Sequence, residues 1–97
     1  MATNPDPDTE AVNEGFNITV YPNPVSSFFN LAVTTIDKQT PVDIRILNTD
    51  GKVMSVQKAA ANTTLRIGAE KWRSGVYMVE VKQGTQRKVV KLVKVAN

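Results

Sequence analysis

The 97-residue chain contains neither cysteine nor histidine. Without thiols or imidazoles it cannot build a disulfide scaffold, a Cys- or His-based zinc site, or a Ser-His-Asp or Cys-His catalytic constellation. Long apolar runs are also missing. A helix needs roughly 18–20 apolar residues to span a bilayer, so stable membrane insertion is not expected. The first residues are acidic and proline-bearing and do not read as a secretory signal. Only six residues are aromatic, one Trp, two Tyr and three Phe. What the chain does have is 41% hydrophobic residues, more than a disordered chain carries, which supports one small domain with a modest core. A cysteine-free chain also fits an oxidising or extracellular destination.

Charge is unevenly distributed. Residues 1–14 hold four acids (Asp6, Asp8, Glu10 and Glu14) and no base, leaving five acids against twelve bases in the remainder, a net of +7. From Lys82 onward there are five bases (Lys82, Arg87, Lys88, Lys91 and Lys94) and no acid. Such a stripe can be the solvated edge of a strand, where lysine also discourages aggregation, or a binding surface for an acidic partner. Nucleic acid is disfavoured, because no aromatics are interleaved with the bases to stack on.

Residues 1–15 are polar, acidic and nearly devoid of large apolar side chains, and are expected to form a flexible linker before a domain at 16–97. Met1 on such a segment suggests a start codon added to a fragment of a longer chain. The acidic stretch Asp6–Glu10 lacks the glycine and distal glutamate of a calcium loop, and no metal or other cofactor is expected.

From Phe16 the hydrophobic period is two. Ile18 and Val20 alternate with Asn17, Thr19 and Tyr21. Phe29, Leu31 and Val33 alternate with Phe28, Asn30, Ala32 and Thr34. Val42, Ile44 and Ile46 alternate with Asp43 and Arg45. A fourth run, Lys52 to Lys58, is expected to turn Val56 and either Val53 or Met54 inward. Leu65 and Ile67 form a fifth, Tyr77, Val79 and Val81 a sixth, and Arg87 to Val95 a Val-rich seventh. Asp50-Gly51 predicts a type I′ hairpin turn, and Gln83-Gly84-Thr85 a second turn. One helical turn is expected at Gly68–Ser74, ended by Gly75. Seven short runs, each half-polar, must bury their apolar faces on one another. The fold class is therefore all-β, a seven-stranded Ig-like β-sandwich of antiparallel type. Its expected core is Val20, Leu31, Ile44, Ile46, Val56, Leu65, Ile67, Tyr77, Val79 and Val81.

Pro22 and Pro24 flank Asn23 and exclude a central strand there. They fit a rigid corner between sheets or an exposed epitope. Trp72 fits a plug at one end of the sandwich, or a sugar-stacking ring if exposed. Asp37, Asp43, Asp50, Glu70 and Glu80 are scattered, with no spacing that brings two carboxylates together for acid–base work. An enzyme is not expected.

Three blocks occur in order: Val20-Tyr21-Pro22-Asn23-Pro24-Val25 with Phe29-Asn30-Leu31; Val42 through Asp50-Gly51-Lys52-Val53; and Trp72-Arg73-Ser74-Gly75-Val76-Tyr77 with Gly84 and Lys88-Val89-Val90-Lys91-Leu92-Val93-Lys94. Together they resemble the C-terminal sorting domain (type A) of the Bacteroidetes type IX, or Por, secretion system. The similarity runs from about Thr19 to Val95, and Trp72 stands where that family more often has Leu. The resemblance implies a secretion signal that takes its parent protein through the outer-membrane translocon. It makes Tyr21, Pro22, Asn23, Pro24, Gly51, Gly75, Tyr77, Gly84, Lys88, Lys91, Leu92 and Lys94 candidate recognition residues. It also places sortase cleavage around Glu14, Gly15 and Phe16. The implied partners are translocon shuttle and sortase components and the parent cargo. The implied route is export through the periplasm to the cell surface or medium, as a monomer, without nucleic acid. The alternative class is an Ig-like carbohydrate-binding or adhesive module of a secreted enzyme, which exposed aromatics on one face would favour.

Overall fold

The computed structural model describes residues 15–96, and the expected linker, apart from Gly15, lies outside them. Seven strands follow in order: β1 (Phe16–Tyr21), β2 (Phe28–Thr35), β3 (Val42–Asn48), β4 (Val53–Ala59), β5 (Thr64–Gly68), β6 (Gly75–Gln83) and β7 (Gln86–Lys94). They form a three-stranded sheet, β1-β2-β5, and a four-stranded sheet, β4-β3-β6-β7. All strand pairings are antiparallel. The chain changes sheets between β2 and β3, β4 and β5, and β5 and β6, which makes this an Ig-like sandwich.

Alternation decides which residues meet between the sheets. The first gives Phe16, Ile18 and Val20 from β1, Phe29, Leu31 and Val33 from β2, and Ile67 from β5; the second gives Val42, Ile44, Ile46, Tyr77, Val79, Val81 and Leu92. Leu65 and Trp72 are partly buried and pack against this cluster. Eight of the ten expected core residues are thus buried outright, and Leu65 sits at the margin.

Val56 is the exception, at 68% exposed. The pairing of β3 with β4 shows why. Ile46 faces Ser55 but Leu47 faces Val53, so Met54 is an extra residue in a β-bulge. Val56 pairs with Arg45, whose side chain faces outward, and Val53 pairs with Leu47 on that same outer face. The inward side of β4 instead carries Ser55, Gln57 and Ala59. As the edge of a four-stranded sheet opposite a three-stranded one, β4 has less to bury against, so small and polar residues suffice there.

Two local expectations also change. Gly51 has φ +85°, but Asp50 does not have positive φ, which excludes type I′. Instead Gly51 N donates to Asn48 O (3.0 Å) and Asn48 N donates to Lys52 O (2.9 Å), the pattern of a three-residue loop with a left-handed glycine at its bulge. The Asn48 carboxamide holds it, with Oδ1 accepting from Asp50 N (2.8 Å) and Lys52 N (2.9 Å). Residues 69–74 form no helix. One backbone bond, Trp72 N to Ala69 O at 3.1 Å, makes a single turn, and the chain then opens at Gly75 (φ +153°).

Buried polar groups are matched, and no buried side-chain nitrogen or oxygen lacks a partner among the described residues. Gln83 is the clearest case. Its Oε1 accepts from Thr35 Oγ1 (2.6 Å), while its Nε2 donates to Thr40 O (2.7 Å) and Asp37 O (3.0 Å). One side chain thereby ties the β2–β3 crossing to the end of β6.

Candidate functional site

The Pro-Asn-Pro corner and the Lys-rich closing strand are about 70 residues apart in sequence, yet they form one structure. Tyr21-Pro22 and Asn23-Pro24 are cis peptide bonds. The corner leaves β1 and passes over the free edge of β7 before β2 begins. There Asn23 Nδ2 donates to Lys91 O and Asn23 Oδ1 accepts from Val93 N, each at 2.9 Å. Val25 continues the contact, its N donating to Val93 O (2.8 Å) and its O accepting from Val95 N (2.9 Å). A carboxamide is suited to this task because it offers a donor and an acceptor side by side, as a strand residue does. The corner therefore covers the outer edge of the chain from Lys91 in β7 to Val95 just beyond it, and Val25 is fully buried. Pro22, Asn23, Pro24 and Tyr21 are exposed.

The three lysines of the closing strand occupy different environments. Lys91 points outward and is exposed, and Lys88 is half-buried on the inward side. Lys94 is only 3% exposed, with Nζ donating to Val95 O (2.9 Å). Reading all three as a single solvated stripe is thus corrected, because strand alternation sends even-numbered residues inward with Leu92.

The turns sit at opposite ends. Asn48 faces Tyr77 and Gly75 faces Lys94 in the sheet register. This places the Gly51 loop, the Trp72–Tyr77 segment and the Pro-Asn-Pro corner at one end. There Tyr77 OH donates to Arg73 O (2.6 Å), and Trp72 packs on Tyr77 and Phe29 with ring centroids 4.9 and 6.0 Å apart. Gly84 (φ +60°) is the first central residue of the two-residue β6–β7 loop at the other end. Phe16 is at that end too, since it pairs with Thr35, which bonds Gln83. Phe16 is buried, and Gly15 O accepts from Ile36 N (2.9 Å). Glu14 lies outside the described residues.

Sequence reasoning missed the outer face of the four-stranded sheet. Four rows cross it in register: Lys58, Asp43, Lys82, Arg87; then Val56, Arg45, Glu80, Val89; then Val53, Leu47, Met78, Lys91; and last Val76 with Val93. Glu80 is held flat between two arginines, Arg45 Nε at 2.8 Å from Oε1 and Arg87 Nε at 2.5 Å from Oε2, and its side chain is 5% exposed. The hydrogen bonds from Arg45 and Arg87 hold its carboxyl below the ordinary value of 4.5. Between these rows lies an open groove of about 470 Å³, floored by Leu47, Met78, Val76 and Val89 and rimmed by Arg87 and Lys91. The paired positions Arg45/Glu80 and Leu47/Met78 follow from register, which strand alternation alone does not supply.

No group of three or more acidic, His or Cys residues that could hold a metal occurs among the described residues. Two aromatics are exposed on the outer face of the three-stranded sheet, Tyr21 and Phe28, and Arg66 lies 4.2 Å over the Phe28 ring.

The corner and the closing strand thus interlock within one antiparallel Ig-like sandwich. The secretion system C-terminal sorting domain family matches residues 19–95, and the chain belongs to that family. No curated protein matches it. Among solved structures it is similar to the crystal structure of dimeric latent PorU from Porphyromonas gingivalis, with TM-score 0.66 and 14% identity. The similarity covers 84% of this chain and 9% of that one, so it is a likeness of fold to a small part of a larger protein. Membership in the family makes this a type IX sorting domain, which implies secretion across the outer membrane and contact with the secretion machinery.

Proposed function

We propose that the domain is recognised folded by components of the type IX outer-membrane translocon, that it carries a parent protein through the periplasm to the surface, and that a surface sortase then removes it. The cargo is either attached to the cell surface or released. Recognition is proposed at the exposed Tyr21, Pro22, Asn23, Pro24, Gly51, Gly75, Gly84 and Lys91 and at half-buried Lys88, whereas Tyr77, Leu92 and Lys94, all buried, are proposed to serve it only by holding the fold; residues 1–15 are the proposed linker, with cleavage around Glu14, Gly15 and Phe16. The observation that carries the reading is the interlock of the corner with the closing strand. Asn23 and Val25 make three bonds to β7 and a fourth to Val95 just beyond it, so the two most distinctive blocks of the sequence meet only in the folded domain.

Two further features support it. Phe16 and the Gly51–Tyr77 end lie at opposite poles of the sandwich, which keeps the cargo attachment away from the end where the corner and closing strand interlock. Burial and pairing of Phe16 also favour a cleavage bond on its N-terminal side, since a protease needs an extended, accessible backbone. No family feature assigns chemistry to the domain, and it is proposed to act as a monomeric, non-enzymatic signal without a cofactor.

The test fuses the full chain to a reporter bearing an N-terminal export signal, in a bacterium with a type IX system. The fusion is expected at the surface or in the medium. Deletion of residues 87–97 is expected to leave the reporter in the periplasm, because it removes β7 and part of the core. Normal secretion of the deletion would reject the reading.

A further inference from the structure

Both outer faces of a sandwich see solvent, and antiparallel sheets ordinarily make such faces polar. The four-stranded sheet does not. Val53 and Val56 on β4, Met78 on β6 and Val89 on β7 are 40%, 68%, 38% and 37% exposed, and the register joins them through half-buried Leu47, Val76 and Val93. Contiguous exposed apolar surface with a polar rim marks an interaction site. The rim here is basic: five bases (Arg45, Lys58, Lys82, Arg87 and Lys91) share the face with two acids, Asp43 and Glu80.

Both acids are already engaged. Lys58 is 3.4 Å from Asp43, and Glu80 is bound by Arg45 and Arg87. Lys82 and Lys91 make no ion pair among the described residues, and the Arg45–Glu80–Arg87 cluster keeps a net positive charge.

We infer that this face, centred on Leu47, Met78 and Val89 and rimmed by Arg87 and Lys91, is the docking surface for an acidic, apolar-studded surface of a folded protein partner. The inference rests on the export reading and gives that reading a receptor-facing side. Charge complementarity selects the occupant. A second copy docking by the same face would set two positive rims against each other, where like charges disfavour association. A lipid surface is disfavoured because the face is a recessed groove without Trp or Tyr, the side chains that settle at a membrane interface. An acidic protein surface meets both the groove and the rim, and the positive rim speeds encounter in a salt-sensitive way.

The experiment uses the full chain fused to the exported reporter and compares Met78→Glu, Lys91→Glu and Lys91→Gln with Thr19→Glu and Thr34→Glu on the opposite sheet. Melting temperature of each purified chain confirms that it folds. The expected result is that the unaltered chain and both Thr variants export normally while Met78→Glu and Lys91→Glu fall by about tenfold or more, the size of losing one central contact. Lys91→Gln should fall less, with no change in melting. Equal export by folded Met78→Glu and Lys91→Glu overturns the docking face while leaving the export reading intact. Failure of the unaltered chain to export removes the export reading itself, and the docking assignment with it. Two side measurements decide the occupant. Sedimentation of the chain as a dimer that Met78→Glu dissolves, or Lys91-dependent co-sedimentation with phosphatidylcholine–phosphatidylglycerol vesicles, would overturn the acidic-protein assignment.

Discussion

The two sheets of this sandwich present different outer surfaces. On the three-stranded sheet the outward positions are largely Asn17, Thr19, Asn30, Ala32, Thr34 and Thr64, with Tyr21 and an Arg66-covered Phe28 toward one end. On the four-stranded sheet they are Val, Leu and Met among five bases and two acids. Inside, both sheets obey the same rule and supply β-branched and aliphatic residues to one core. The difference outside is therefore not a requirement of folding. Threonine and asparagine satisfy a solvated sheet face, whereas exposed Val56 and Met78 gain nothing from water. The departure from what the fold needs marks where function is sought.

The largest effect should separate inside from outside. Ile44→Ala or Val79→Ala, both fully buried, should cost about 2–4 kcal/mol, a large part of the roughly 5 kcal/mol a domain of this size has to lose. Val56→Ala, on the outer face, should stay within about 0.5 kcal/mol. Thermal or denaturant melting of the three variants checks both, and a large loss at Val56 would return it to the core.

Next comes the seam between the corner and the closing strand. Asn23→Ala removes two hydrogen bonds to β7 and should cost about 1–2 kcal/mol. Amide exchange at Val93 should quicken more than at Val79 in the sheet centre. Uniform quickening would mean that the corner supports the whole fold and not this edge.

A smaller effect is expected at the arginine clamp. Glu80 has its folded pKa below 4.5 because Arg45 and Arg87 bind its charged form. The unfolded chain therefore binds the proton more readily, so this stabilisation is complete above the unfolded value and is lost as pH falls through the folded one. Glu80→Gln should cost on the order of 1 kcal/mol near neutrality, since both arginines are partly exposed. It should also flatten the acid limb of a stability-versus-pH curve. Asp37 is lowered in the same direction by the amides of Thr40 and Gln39, so some acid sensitivity should remain. An unchanged acid limb would show that the clamp does not stabilise the fold.

The smallest effect concerns two lysines. Lys91→Gln should change stability by less than about 0.5 kcal/mol, whereas Lys94→Gln, at a buried position bonded to Val95 O, should lower the melting temperature more. Equal effects would mean that the inward burial of Lys94 is energetically silent.

Much of this architecture could be read from the residues. The period of two located all seven strands, since a half-buried strand leaves that record in its side chains. The facing of β4 could not be read, because one extra residue at Met54 inverts the alternation that precedes it, and an edge strand is not compelled to bury apolar groups. The same limit applies to the loop at Gly51, where Asp-Gly fits two turn types and the Asn48 side chain decides between them. Asn62, with φ +54° and Oδ1 accepting from Thr35 N, and Gln83, bridging the end of β2 to two loop carbonyls, look like ordinary polar residues in the sequence. Of the proposed recognition surface, the corner and the basic strand were visible as motifs. Their union through Asn23 was not, nor was the groove between Leu47 and Met78. Both depend on register between distant strands, and local patterning carries no register.

The contrast between the two outer faces is tested most directly by site-specific photocrosslinking during export, with benzoylphenylalanine placed at position 78 on one face and at position 34 on the other. An adduct is expected from position 78 with an identified type IX outer-membrane component, and none from position 34. An adduct from position 34 alone, or from neither position while the fusion is exported, would contradict that expectation.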